Sequence, residues 1–353
     1  MGSDLFLESY SNDWETRKVR DVAIINEDTL TSADASDEIE YIEISNVNKG
    51  EISEIPRLKF EDAPSRARRK VKPNDILLST VRPNLEHYAF IKQANPNTIA
   101  STGFAVISAK EIEPRFLYYV LTSPGHTDYF SMIAEGHTSA YPAMNSDVIE
   151  DLEIPFPPLP EQKRIAHILG TLDDKIELNQ RMNETLEEIA RAVFKSWFVD
   201  FDPVRAKMAG EPYPLSDEVM ALFPDELVDS DLGMIPKGWE VGKLGDIYEF
   251  AYGKSLPQKK RISGEILVYG SNGIVGTHNE ALVEGPGIIV GRKGNPGIIT
   301  WAANDFFPID TTFYIITNMP MLFAFYQLDC LDLPRLSADS AVPGLNRMST
   351  SQI

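Results

Sequence analysis

A chain of 353 residues has room for two or three domains, each able to bury a core. Its 43% hydrophobic and 24% charged residues are ordinary for a globular protein, and no stretch approaches the roughly 20 apolar residues of a membrane span. A net charge of −20 argues against a polyanion-binding surface spread over the whole chain, but the acidity is regional. Residues 1–55 hold 14 acids and 4 bases and residues 200–236 hold 9 and 2, so the remainder is nearly neutral. The start lacks a basic region followed by an apolar run, which points to a cytoplasmic protein. The single cysteine, Cys330, excludes an intrachain disulfide, and its neighbours Tyr326, Leu328, Leu331 and Leu333 predict a buried structural thiol.

From the N-terminus, Trp14-Glu15-Thr16-Arg17-Lys18-Val19-Arg20-Asp21-Val22 opens a stretch that is led by strands. Residues 39–47, 75–79 and 103–107 are β-prone runs bounded by Pro, Asn or Gly, and 114–122 reads as a short helix. Between them, Arg57, Lys59, Arg66, Arg68, Arg69, Lys70 and Lys72 face only Glu61 and Asp62, a basic loop in an acidic chain. Ser139-Ala140-Tyr141-Pro142-Ala143-Met144-Asn145 closes this first module.

Ile154-Pro155-Phe156-Pro157-Pro158-Leu159-Pro160-Glu161-Gln162 then leads into about forty residues of unbroken helical pattern. Pro160 suits a first helical turn, and Glu161 stands beside the positive end of the dipole. Ile165, Leu169, Leu172, Ile176, Asn179, Asn183, Leu186, Ala190, Val193 and Trp197 step alternately by four and three, a heptad seam that seeks a partner helix. Such a helix is about 55–60 Å long, the scale of a spacer.

After an acidic connector the opening returns as Trp239-Glu240-Val241-Gly242-Lys243-Leu244-Gly245-Asp246-Ile247, and the closing segment as Ser340-Ala341-Val342-Pro343-Gly344-Leu345-Asn346. Residues 287–290, 311–316 and 321–328 answer the strands and helix of the first copy in the same order. The offset falls from 225 residues at Trp14 and Trp239 to 201 at Pro142 and Pro343, so the loops differ while the framework is kept. A period this long means two globular modules, not a solenoid. Lys254, Lys259, Lys260 and Arg261 form a second basic cluster, and Arg292 with Lys293 a third. One basic loop per module fits two contacts on a polyanion; a solvated charged face fits the same residues.

Catalytic signatures are missing. Gly253-Lys254-Ser255 has the ending of a phosphate loop, but Tyr248 stands where the first glycine is required. Gly291-Arg292-Lys293-Gly294-Asn295-Pro296-Gly297 lacks dinucleotide spacing. His87, His126, His137, His167 and His278 form no close ligand pair, and no adenine-methylating motif or cofactor loop is present. The expectation is a protein without catalysis, metal or cofactor.

Pro157-Pro158-Leu159-Pro160-Glu161-Gln162 running into Arg164-Ile165-Ala166, Leu172-Asp173-Asp174-Lys175-Ile176-Glu177-Leu178-Asn179, Ala192-Val193-Phe194-Lys195-Ser196-Trp197-Phe198, and Ile235-Pro236-Lys237-Gly238-Trp239-Glu240 closely resemble the conserved regions of specificity subunits of type I restriction-modification systems. The resemblance implies an α+β chain with two homologous mixed α/β target-recognition domains separated by a long coiled-coil-forming helix. The bounds expected are 1–157 for the first domain, 158–200 for the spacer helix, 201–235 for an acidic connector and 236–353 for the second domain. It implies that each domain reads one half of a split sequence in double-stranded DNA, while partner methylase subunits modify adenine and a motor-nuclease subunit cuts. It also implies a second such helix, packed antiparallel on the first; the sequence reaches Ile353 without one, so self-association through the seam Ile165, Leu169, Leu172, Ile176, Leu186, Val193 and Trp197 is expected.

Family-wide contact motifs are lacking, so residue type selects candidates: Arg and Lys for guanine edges and phosphates, Asn and Ser for bases and backbone. In the first module these are Arg66, Arg68, Arg69, Ser79, Arg82 and Asn84. In the second they are Lys254, Ser255, Ser271, Asn272, Arg292, Lys293 and Asn295. Each also fits an ordinary turn or surface position. Two rival classes stand beside DNA recognition. One is a restriction enzyme fused to such a module, which the missing motifs disfavour; the other is an interaction protein that sequesters methylase subunits.

Overall fold

Short apolar runs bounded by Gly, Pro or Asn become central strands covered on both faces, and they organise each half of the chain. The computed structural model describes residues 14–31, 38–136, 142–337 and 344–352. It divides into two compact units, the boundary falling after Gln180. The first unit contains β1 (Glu15–Lys18), α1 (Val19–Val22), β2 (Ala23–Ile25), β3 (Glu38–Ile42), β4 (Val47–Asn48), β5 (Glu51–Ile52) and β6 (Arg57–Lys59). It continues through β7 (Ala67–Lys70), β8 (Ile76–Ser79), β9 (Tyr88–Phe90), β10 (Thr98–Ser101) and β11 (Phe104–Ala109). Helices α2 (Pro114–Leu121), α3 (Pro124–Gly136) and α4 (Ser146–Glu150) follow, then β12 (Glu153–Phe156).

One sheet has the order β2-β11-β8-β9 and is antiparallel throughout; another, β6-β3-β10-β7, has the parallel pair β3 and β10. All four residues of β8 are buried, as are the first five of β11, and Phe104 pairs with Ser79. Strand β1 pairs antiparallel with β12, Glu15 opposite Phe156, so the chain returns to its starting edge just before the long helix. Residues 39–47, expected as one run, are interrupted by a 3-10 turn at Ile44–Asn46. The Asn46 side chain accepts the Glu43 N–H at 3.0 Å and so replaces the ladder bond there.

The second unit repeats this plan with β13 (Leu227–Val228), β14 (Ile235–Pro236), β15 (Glu249–Tyr252), β16 (Ile266–Gly270), β17 (Gly273–His278), β18 (Gly287–Gly291), β19 (Ile299–Ala302), β20 (Phe306–Pro308) and β21 (Thr312–Ile316). Its antiparallel sheet, β15-β21-β18-β19, has the strand order of β2-β11-β8-β9, and β16 lies parallel to β20 as β3 does to β10. Register is conserved as well: Thr312 pairs with Gly291 as Phe104 does with Ser79. A nine-residue helix at Met321–Asp329 answers α2. Cys330, expected to be buried, is exposed, because Leu328 faces the core and two residues of helix turn the chain about 200° away.

The long helix, α5 (Leu159–Phe198), starts where two prolines end β12. Gln162 is fully buried; its Oε1 accepts the Glu113 N–H and its Nε2 donates to the Pro157 carbonyl, both at 2.8 Å. Further along, Arg115 lies so close over Gly170 that a Cβ there would come within 2.4 Å of its Nη1. Arg115 Nη2 and Lys92 Nζ hold Asp174 at 2.7 and 2.8 Å, and these hydrogen bonds depress its carboxyl to about 2. Within the second unit, Phe194 is buried against Phe323, 5.3 Å between ring centroids, and Arg191 Nε meets Asp329 at 2.9 Å.

The expected seam divides. Leu172, Ile176 and Leu186 are all more than half exposed, Val193 is exposed at 38%, and Leu169 is half-buried. Ile165 instead packs on the first unit's core, and Trp197 meets Phe223 of the acidic connector at 5.6 Å. The seam is therefore an apolar stripe, and its two ends are drawn into neighbouring structure. Because the Gln162 amide satisfies the buried Pro157 carbonyl and the partly buried Glu113 N–H, Gln162→Ala should lower the stability of the first unit by about 1–3 kcal/mol. Urea unfolding followed through a reporter in that unit, with an unchanged midpoint, would show that the amide does not matter.

Candidate nucleic-acid interface

Both central strands, β8 and β18, run out into a loop that a distant segment completes. In the first unit the Thr80 N–H reaches the Gly103 carbonyl at 2.9 Å, Met144 N–H reaches the Thr80 carbonyl at 2.9 Å, and Val81 bridges to Ala143. In the second unit Arg292 N–H reaches the Thr311 carbonyl at 2.9 Å, Leu345 N–H reaches the Arg292 carbonyl at 2.9 Å, and Lys293 bridges to Gly344. Thr80 and Val81 thus occupy the places of Arg292 and Lys293. The repeated closing segments are what dock; their residues 139–141 and 340–343 lie outside the described residues, as does His137.

In the first unit Arg82 is exposed, with a left-handed φ of 48°, and its N–H donates to Pro142 at 2.8 Å. Buried Pro83 pegs the turn and leaves Asn84 at the surface. Arg66 is brought to the same end, since its carbonyl accepts from Thr102 N–H at 2.8 Å, but its guanidinium is ion-paired with Glu43. The run 57–72 is not one loop. It comprises β6, a 3-10 turn at Phe60–Asp62 and β7, and Arg57 and Lys72 are paired with Glu40 and Glu27.

A bulge in β7 leaves Arg68 out of the ladder, with Nη1 turned back to the Ala67 carbonyl at 3.0 Å. Arg69 is half-buried, and its Nε is closed off from solvent without a hydrogen-bond partner. Ser79 is corrected as a contact candidate: it is 2% exposed, and its Oγ donates to the Val81 carbonyl at 2.8 Å and accepts the Val81 N–H at 3.2 Å. That hydroxyl shapes the turn and is closed to a ligand.

The second unit gathers its candidates more tightly. The glycines at 291, 294 and 297 serve loop closure: a Cβ on Gly291 would stand 2.2 Å from the Asn295 carbonyl oxygen, and Gly294 and Gly297 have φ near +85°. Gly253 is needed for a similar reason, its Cβ position lying 2.2 Å from the Ile309 carbonyl oxygen, so the segment resembling a phosphate loop is a close backbone contact. Ser271 neighbours the glycine loop, its Oγ 3.3 Å from where a Gly294 Cβ would stand. Lys254, Ser255, Asn272, Lys293 and Asn295 are exposed, and Lys254 N–H is anchored on the Pro308 carbonyl at 3.0 Å.

A cleft of about 580 Å³ opens between these loops, lined by Tyr252, Arg292, Lys293, Gly294 and residues 344–347. The Arg292 guanidinium lies 5.1 Å from the Tyr252 ring centroid, and that of Arg347 lies 5.9 Å from it. Tyr252 and Arg347 were not among the residues expected from sequence. The available signal was position: Tyr252 precedes the Gly253 turn, and Arg347 directly follows the repeated Asn346. Among the described residues no group of three His, Cys, Asp or Glu is placed to hold a metal, and no helix is long and apolar enough to cross a membrane.

Two copies of one module, separated in sequence by one long helix and each carrying an equivalent loop edited in its charges, define a duplicated architecture. The model of the type I restriction modification DNA specificity domain matches residues 11–188 and 236–349, and the chain belongs to that family. The family is one of DNA recognition, not of catalysis. The chain is 35% identical over 263 residues to the type I restriction enzyme HindI specificity subunit of Haemophilus influenzae, covering 61% of this chain and 57% of that one. It is 30% identical over 256 residues to the MjaIX specificity subunit of Methanocaldococcus jannaschii, covering 70% and 54%. It thus spans little more than half the length of these curated relatives. A solved type I S subunit from M. genitalium shares the fold, with a TM-score of 0.52 at 18% identity over 98% of this chain and 85% of that one.

Since the Ser79 hydroxyl is committed to its own turn, Ser79→Ala should cost about 1 kcal/mol of stability and leave DNA affinity unchanged. A binding titration in which that variant loses affinity while keeping its melting temperature would return Ser79 to the interface.

Proposed function

We propose that this chain is a DNA-reading subunit of a type I restriction-modification complex, each module reading one half of a bipartite target. Modification and cleavage belong to methylase and motor-nuclease partners, and the chain itself needs no cofactor. The observation that carries the reading is the equivalent loop in both modules, held by the same backbone bonds yet bearing cations at different positions: Arg82 in one, Arg292 and Lys293 in the other. Equal frames with unequal contacts suit two different half-sites.

Arg66, Arg68, Arg82 and Asn84 contribute to the first contact surface. Lys254, Ser255, Ser271, Asn272, Arg292, Lys293 and Asn295 contribute to the second. Arg69 enters only if its half-buried side chain swings out. The chain alone should transfer no methyl group and cut no DNA. Together with its methylase partner it should retain duplexes of one split sequence, and exchanging residues 1–157 for another member's domain should change one half of that sequence only. Loss of preference in both halves would contradict modular reading. Retention of the methylase with no sequence preference would make the chain an interaction protein that sequesters it.

The exposed stripe takes a helix from a partner, and in the isolated protein that partner is a second copy. Each large side chain buried is worth roughly 1.5–3 kcal/mol, enough in sum to hold a dimer at tens of micromolar. Leu172→Glu with Ile176→Glu should abolish association without changing the melting of either unit. Light scattering that finds a monomer at those concentrations for the unmodified chain would overturn this.

A further inference from the structure

The cleft beside β15 contains an aromatic side chain that the framework does not use. Tyr252 is 49% exposed at the end of its strand, and what flanks its ring are two guanidiniums and Phe313, 5.0 Å away. The two cations differ in how they are held. Arg292 has its N–H bonded to Thr311 and its carbonyl bonded to Leu345, so its backbone cannot swing, and its guanidinium rests over Tyr252 at 5.1 Å and Phe313 at 5.9 Å. Among the described residues it has no carboxylate within ion-pair distance. Stacking occupies the faces of a guanidinium and leaves its N–H donors free in the plane, which is the edge that reads guanine O6 and N7.

Arg347 is looser. Its side chain is 42% exposed, its Nη2 is 3.5 Å from Glu249, and it stands on a four-residue helix at the mouth of the cleft. An exposed ion of that kind can exchange its carboxylate for another anion at little cost.

We propose that Tyr252 is a positioning residue that fixes Arg292 for a guanine edge in the half-site read by the second module, while Arg347 takes a phosphate of the same duplex. This assignment rests on the DNA-reading function proposed above. It divides one cleft into a specificity element, Arg292 on Tyr252, and an affinity element, Arg347. The experiment is selection from a pool of randomised duplexes by the full chain with its methylase partner, followed by affinity against salt for the selected sequence.

Arg292→Ala and Tyr252→Leu should lose discrimination at the same G·C position, roughly tenfold to a hundredfold, and Tyr252→Phe should retain it. Arg347→Ala should keep every preference, weaken all sequences alike and reduce the salt slope by about one unit. Preferences in the other half of the target, unchanged in each variant, report that the chain is folded and assembled. A Tyr252→Leu variant with all preferences intact, or one weakened equally on every sequence, overturns the positioning role while the DNA-reading function stands. An unmodified complex that selects no sequence overturns both.

Discussion

A central strand covered on both faces must leave its sheet, and the first carbonyl beyond it then needs a donor from elsewhere in the chain. Thr80 obtains one from Met144 and Arg292 from Leu345, each donor carried by a segment that returns after the module's helices. Met144 and Leu345 are both 5% exposed, so the donor is pinned by a buried side chain. This pairing explains why so short a segment recurs in both halves while surrounding loops change length. It also sets where the proposed interface lies, because residues just beyond the bond, Arg82 in one module and Lys293 in the other, are exposed. Remove the bond and the loop has no fixed direction in which to present a cation.

Much of this framework was legible in the sequence because doubly covered strands appear as continuous apolar runs. Residues 75–79 and 287–290, with 103–107 and 311–316, announced the paired central strands, and the helix after Pro160 showed itself by an uninterrupted period. Local competition was harder to see. Asn46 breaks the run at 39–47 by capturing a backbone N–H, and nothing in a propensity scale says when an Asn will do so. Cys330 was misplaced because apolar neighbours in sequence say nothing about which side of a helix end a residue faces.

The proposed interface was less legible for an electrostatic reason. A residue's type states what it can donate, whereas its availability depends on carboxylates that the fold brings from far along the chain. Glu43 arrives beside Arg66, Glu40 beside Arg57 and Glu27 beside Lys72, so a run that reads as strongly basic is partly neutralised where it stands. The opposite error hid the cleft of the second unit. Tyr252 and Arg347 are 95 positions apart and join only because β15 and the returning segment flank the same loop, an adjacency set by strand order. Charge counting finds clusters along the chain; it cannot find a cation and an aromatic ring that meet across a sheet.

The long helix illustrates how a correct period can still assign contacts wrongly at its ends. A repeat of seven residues drifts by about 20° per heptad on a straight helix of 3.6 residues per turn. Over the 32 residues between Ile165 and Trp197 the nominal seam therefore moves around the cylinder relative to the face carrying Gln162, Ala166 and Asp174. At the start of the seam Ile165 lies at the edge of that docking face and is captured by the first core. At its far end Trp197 is met by Phe223 from the connector. From Leu172 to Val193 the large seam side chains stay exposed, so a partner helix that follows the heptad must either supercoil with this one or touch it over about three heptads.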